Sequence, residues 1–179
     1  MGLLNYVGSI VEKKEVLGDN GNSFLSYKVG FLGFMLDVRR TERNFNEFNE
    51  GDLVRVSIFP KPSSVKTEFG TYNFSIPEVL GLEKAKDIKE LLIVPRGEVQ
   101  VLKYELVKMK DSKDTSKEIA YTKLLLAGDI NGGITSSKDV VLENMQKYTA
   151  LMTLGIKKGQ LQFLPSDFRV VSNDDKQGN

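Results

Sequence analysis

The run RRTERNFNEFNEGDLVRVSIFPKP, Arg39 to Pro62, holds four arginines, three phenylalanines and a Gly-Asp turn. Its second half decides the fold. Gly51-Asp52 is a turn signal, and in the LVRVSIF that follows, Val54, Val56 and Ile58 alternate with Arg55, Ser57 and Phe59. Alternation with a period of two puts the three aliphatic side chains on one face of a sheet and Arg55, Ser57 and Phe59 on the other. The reading is a half-buried strand, entered through a tight turn and ended by Pro60 and Pro62. The first half differs. Arg39, Arg40 and Arg43 are balanced by Glu42, Glu47, Glu50 and Asp52, which predicts a solvated loop.

Working outward, the chain before this stretch also reads as strands. Leu4 to Val11 is apolar-rich and runs into Glu12-Lys13-Lys14-Glu15, and Gly18-Asp19-Asn20-Gly21-Asn22 is a strong turn signal. Leu25, Tyr27, Val29 and Phe31 then share a face. The apolar parity switches afterwards to Leu32, Phe34, Leu36 and Val38, as a bulge or sharp bend near Gly30 and Gly33 would cause.

After Pro62 the pattern changes. Ile76-Pro77-Glu78 opens a helical spacing through Val79, Leu80, Ala85, Ile88, Leu91 and Leu92, interrupted at Gly81 and ending before Pro95. Glu98 to Met109 and Glu118 to Ala127 read as strands joined by the polar loop KDSKDTSK. Asn131-Gly132-Gly133 is a turn. Ser136-Ser137 offers a cap to a helix from about Lys138 to Leu154, striped by Val141, Met145, Tyr148 and Met152. Leu161 to Val171 is a last strand. No internal repeat is visible in the residues. The order predicts an α+β protein, mainly β, with a small OB-like barrel, a β-hairpin and one longer helix. The expected units are a barrel with a trailing helix over 1–94, a hairpin, helix and final strand over 95–172, and a tail over 173–179.

Composition narrows the function. The 179 residues carry 25 Lys and Arg against 24 Asp and Glu, too even a balance for a protein that grips phosphate by bulk charge. There is no Cys and no His, which removes disulfides, thiolate chemistry, the Ser-His-Asp triad and nearly all zinc sites. The nearest phosphate-loop match, Gly128 to Ser136, has Ile134 where the lysine must stand. Glu12-Lys13-Lys14 and Asp87-Ile88-Lys89 match the D/E-x-K of metal-dependent nucleases, yet one lacks an upstream acid and the other sits in a predicted helix. No catalytic residue, metal site or cofactor is expected. No apolar run approaches the roughly 20 residues that cross a bilayer. The start MGLLNYVGSIVEKK lacks a basic leader and the Ser or Thr of a myristoylation signal, so the expectation is a cytoplasmic chain with no membrane partner.

The binding signals coincide downstream of the opening turn. Arg55, Lys61 and Lys66 lie in a stretch from Leu53 to Thr67 without an acid, and Phe59, Phe69, Tyr72 and Phe74 interleave with it or follow it. Cations to track phosphates and aromatics to stack bases are what a sequence-independent single-strand binder needs. Tyr27, Lys28 and Arg39 extend the same surface if it wraps a barrel. Expected phosphate contacts are therefore Arg55, Lys61 and Lys66, expected stacking residues are Tyr27, Phe59 and Tyr72, and Lys28 and Arg39 belong to the expected binding surface. Tyr72 is preferred over Phe69 because its hydroxyl tolerates partial exposure.

The pieces YVGSIVEKKEV, SFLSYKVGFLGFMLDVRR and FNEFNEGDLVRVSIFPKP together resemble OB-fold single-stranded DNA-binding proteins of phages and mobile elements. In the last, Glu50-Gly51-Asp52 before LVRVSI resembles a (K/E)-G-D-x-V-x-V entry to a barrel strand. The resemblance spans about the first 75 residues. It implies a non-enzymatic binder of single-stranded DNA, supporting replication or transfer. The chain departs from it in having no Trp and no terminal apolar residues on its SNDDKQGN tail. The alternative is a protein-interaction or assembly module, docking through an open barrel edge or the helix at Lys138 to Leu154, with a homo-oligomer among its forms.

Overall fold

The computed structural model describes residues 2–31, 33–41, 48–137, 139–157 and 159–171. The opening stretch behaves as its alternation requires. Val54, Val56 and Ile58 are fully buried, and Arg55, Ser57 and Phe59 face the other way. Their strand does not stop at the prolines. It runs on to Thr67 as one arm of a long hairpin.

Among the described residues, ten strands form two antiparallel sheets. The first contains β1 (Leu4–Leu17), β2 (Ser23–Phe31), β3 (Phe34–Thr41), β4 (Leu53–Thr67) and β5 (Gly70–Lys84), in the order β3-β2-β1-β4-β5. After a short 3-10 turn at Ile88–Leu92, the second contains β6 (Arg96–Lys110), β7 (Glu118–Gly128), β8 (Gly132–Ser137), β9 (Lys147–Lys157) and β10 (Gln160–Val170), in the order β10-β9-β6-β7-β8. Among the described residues neither sheet closes into a barrel, and these residues are 71% strand and 3% helical, so the α+β expectation is corrected to a nearly all-β fold. Among the described residues no helix is long and apolar enough to cross a membrane.

Both misread segments have a specific cause. In β9, Tyr148, Ala150, Met152 and Leu154 are all buried, a period of two. Tyr148 and Met152 lie four apart and so satisfy a helical stripe equally well, whereas Val141 and Met145 of that stripe are exposed. Ala150 and Leu154 are the discriminating positions. In β5, the pairing slips opposite Ser57 and Ile58, which leaves Leu80 as an extra, exposed residue between Val79 and Gly81. The slip moves buried Leu82 three places from Val79, and the bulge imitates a helical spacing. Pro77 is tolerated because β5 is an edge strand. The parity switch after Phe31 is a hairpin, not a bulge: the chain turns at Gly33, at φ 96°, and Phe31 pairs with Phe34 with the rings stacked at 4.7 Å.

The two sheets are built alike, an internal repeat that the residues do not reveal. β1 and β6 are central, each flanked by the next strand and by the third after it, with the remaining two strands outermost. Each central strand carries a bulge, between Ile10 and Glu12 in one half and between Val101 and Lys103 in the other. Each bulge is clamped by the turn that leads into the fourth strand. Ile10 donates to the Asp52 carbonyl (2.9 Å) and accepts from the Gly51 amide (2.8 Å). Val101 donates to the Gln146 carbonyl (3.0 Å) and accepts from the Met145 amide (2.6 Å). Gly51 stands at φ 88° and Met145 at φ 65°, the same left-handed position in both halves. Buried Phe48 and Leu142 precede the two turns at matching places.

One continuous core draws on both sheets. Across the join, the buried Tyr6 hydroxyl of β1 donates to the Met152 carbonyl of β9. Burial holds the Tyr6 phenol well above its ordinary pKa, so it remains a donor throughout the physiological range.

Two stability outcomes follow from these contacts. Gly51→Ala lowers stability by about 1–2 kcal/mol, because a Cβ at positive φ is strained although no atom lies within 4 Å of it. Met145→Gly releases the same strain but frees the unfolded chain, for a net gain of about 0.5 kcal/mol. Urea unfolding midpoints moving in opposite directions for the two variants are the expected result. Tyr6→Phe deprives the Met152 carbonyl of its donor and lowers stability by about 1 kcal/mol in the same assay.

Candidate functional site

The β4–β5 hairpin outgrows the sheet that carries it. β1 pairs with β4 only from Leu53 to Ile58, and among the described residues β5 is the sole partner strand of β4 beyond that point. The outer part projects as a two-stranded arm turning through Thr67 to Gly70. Cross-strand register sets its faces. Lys61 opposes Ile76, Ser63 opposes Phe74 and Val65 opposes Tyr72, so these six share one face. Pro62 with Ser75, Ser64 with Asn73 and Lys66 with Thr71 make the other. Phe69 at the tip is 83% exposed, Tyr72 54% and Phe74 36%, with Val65 and Ile76 also exposed beside them. Water-facing aromatics in this density on a narrow arm form an apolar surface, most open at Phe69 and Tyr72 and bordered by β8 and β10 at Phe74 and Ile76.

The residues singled out from sequence are not gathered into one surface. Tyr27 is fully buried, edge-on to Phe48 at 5.5 Å with the Lys13 ammonium 5.9 Å from its ring centre. It is a core residue and offers no face to a base, which corrects its expected stacking role. Lys28 is bound to Glu12 at 2.8 Å, which raises the lysine pKa and lowers that of the carboxylate. Arg39 lies on β3 opposite Ser26, and its side chain falls outside the described residues, as does all of Arg43. Phe59 is half-buried opposite Glu78, and Lys61 pairs with that glutamate at 2.8 Å. Lys66 and Tyr72 are exposed on opposite faces of the arm, and Lys66 has no acidic partner among the described residues.

Arg55 is the most tightly held of these cations. Its guanidinium contacts Glu83 at 2.7 Å and also Glu90. Glu90 is itself fixed, since its carboxylate accepts the backbone amides of Lys86 (3.2 Å) and Asp87 (3.1 Å) in the capping box of the 3-10 turn. The hydrogen bond from Arg55 is the main reason the Glu90 carboxyl lies below its usual pKa, and Glu90 in turn raises that of Arg55. The stretch around Arg55 is acid-free in sequence, but Glu83 and Glu90 arrive from 28 and 35 residues away. Of the two nuclease-like tripeptides, Glu12 is occupied by Lys28 and Asp87 caps the 3-10 turn through the Lys89 amide (2.9 Å). Phe69 and Phe74, which are not among the expected stacking residues, are neighbours of Tyr72 on the arm.

Comparison of the sequence with known families gave no matching family model, and comparison with curated proteins gave no match. The arm's geometry is therefore the basis on which its chemistry is read.

The Arg55 pairs set a pH dependence. A carboxyl with a lowered folded-state pKa contributes stability that is present above its unfolded value, near 4.3, and is lost as pH falls through the folded value. Arg55→Met is expected to lower the urea midpoint at pH 7, and the gap from wild type to shrink at acid pH as the Glu90 carboxyl, held below its usual range by Arg55, protonates.

Proposed function

We propose that this chain is a non-enzymatic, largely sequence-independent binder of single-stranded nucleic acid, DNA favoured, that takes up unpaired bases on the β4–β5 arm and serves DNA replication or transfer. The observation that carries the reading is the exposure of Phe69, Tyr72 and Phe74 together on one projecting hairpin. A π-face in water is a stacking platform for any base, and base–aromatic stacking contributes about 1–3 kcal/mol per base. Lys66 supplies a cation at the arm, and Lys61 can exchange Glu78 for a phosphate at small cost because the pair is exposed. The resemblance of the first 75 residues to OB-fold single-strand binders supports the same reading. In such proteins the hairpin between the fourth and fifth strands is a ligand-binding element. Here it belongs to an open sheet in place of a barrel.

Titration of fluorescently labelled oligo-dT by anisotropy at several salt concentrations tests the proposal. Binding at 50 mM salt is expected, with a shallow salt slope because few lysines at the arm are available to phosphate. Phe69→Ala and Tyr72→Ala should each weaken it about tenfold, as losing about 1.4 kcal/mol of stacking implies. Absence of binding by the wild type at low salt overturns it.

A second reading is favoured by a specific observation: Lys28, Arg55 and Lys61 are already neutralised by carboxylates, and Val65 and Ile76 add aliphatic surface that bases do not require. In that reading the arm docks a protein partner or a second copy. Light scattering that gives a concentration-dependent mass, together with no oligonucleotide binding, would select it.

A further inference from the structure

Three sheet edges meet where the two halves join. β5 is an outer strand of the first sheet, and β8 and β10 are the two outer strands of the second. They bound a groove in two lobes of about 680 and 350 Å³, connected because Gly133, Ile134, Gln162 and Phe163 line both. The join is built by close backbone approach. Gly132, at φ 119°, lies so near β5 that a Cβ there would come 2.8 Å from the Asn73 carbonyl and 2.9 Å from the Phe74 Cα. Beside it, the Asn131 amide donates to the Ser75 hydroxyl at 2.8 Å.

The two lobes differ in chemistry. The larger has Phe74 and Ile76 of β5 on one wall and Leu161 of β10 on another, with the amides of Asn131, Gln160 and Gln162, and no ionisable side chain among the described residues lining it. The smaller is lined by Lys123 and Lys157 and, among the described residues, by no carboxylate. The Lys157 ammonium donates to the Thr135 hydroxyl, and that of Lys123 stands 6.0 Å from the Tyr121 ring centre. The acid in register with Lys123 is Glu105 on β6, across β7 from the groove, and it pairs with Lys103 at 3.6 Å. Among the described residues that line this lobe the charge is thus of one sign.

The groove is also continuous with the arm, because Phe74 and Ile76 belong to the face that carries Tyr72. Resting on the nucleic-acid reading above, we propose that a single strand engaged on the arm continues into this groove, with bases against Phe74 and the apolar lobe and phosphates at Lys123 and Lys157. The one-sign charge matches a polyanion, and the three amides offer donors and acceptors to base edges without selecting a sequence. The second half of the chain thereby becomes part of the binding path.

The test compares wild type with the Lys123→Ala/Lys157→Ala double variant on oligo-dT of about 5 and about 15 nucleotides, a range spanning the site sizes of single-strand-binding domains. For the longer oligonucleotide the variant is expected to bind about tenfold more weakly, with a log–log salt slope shallower by about 1.4, two contacts at about 0.7 each. The shorter one, which the arm alone accommodates, should bind both proteins equally. An unchanged slope on the longer strand, while Phe69→Ala and Tyr72→Ala still weaken binding, overturns the inference and leaves the arm's function standing. Equal weakening for both lengths also overturns it, since the lysines would then act at the arm. No binding by the wild type to either oligonucleotide removes both proposals together.

Discussion

The structure depends on how Ile10 and Val101 satisfy their backbone groups. Each is the last residue paired with the next strand before a bulge, and it stands one place beyond the end of its strand's pairing with the fourth strand. An unpaired polar backbone group in a core is too costly to leave. In each half, the turn entering the fourth strand supplies both partners: Gly51 and Asp52 for Ile10, Met145 and Gln146 for Val101. This clamp lets one strand serve two neighbours, since the residues before the bulge of β1 pair with β4 and those around and after it pair with β2. It also explains why a left-handed residue recurs there. The position demands positive φ whatever side chain occupies it, and the second half meets that demand with a methionine.

The same division of labour produces the arm. Because β1 reaches β4 only as far as Ile58, β4 beyond that point pairs with β5 alone among the described residues, while β5 itself meets the turn into β8 at Asn73 to Ser75. Such a hairpin buries little of what it carries, so its side chains are exposed by topology, not by hydrophilicity. Phe69 and Tyr72 are placed as if for contact with something outside the chain. Cations closer to the sheet behave differently. Where two strands pair, carboxylates come within reach, Glu83 directly opposite Arg55 and Glu78 diagonally from Lys61. The base of the arm is consequently close to neutral, whereas Lys123 and Lys157 share one lobe of the groove with no carboxylate among its described lining residues.

Much of the candidate site was legible only as a list of residue types. The inward faces of β2 and β4 were readable because burial on one side of a strand forces strict alternation, and Val54, Val56 and Ile58 obey it. The acid-free run from Leu53 to Thr67 was readable too. Its meaning was not, because the acids that neutralise Arg55 lie on β5 and in the 3-10 turn. Tyr27 was misjudged for a related reason. An alternating tyrosine shows which neighbours share its face, not whether that face is covered, and Phe48 covers it. The repeat escaped notice because pairing constrains side-chain class and backbone sign, not identity. Tyr27 on β2 corresponds to Leu124 on β7, and Gly51 to Met145.

By itself the sequence determined the chemistry that is excluded, the existence of most strands and the faces of β2 and β4. These follow from residue types and from a period of two, both local properties. Tertiary structure alone decided that Ile76 to Lys84 and Lys147 to Leu154 are strands, that the halves are alike, and which aromatics meet water. Spacings of three and four residues fit a bulged strand as well as a helix, and the choice belongs to whichever neighbour completes the hydrogen bonds. For the segment from Ile76 that neighbour is β4, and for the segment from Lys147 they are β6 and β10.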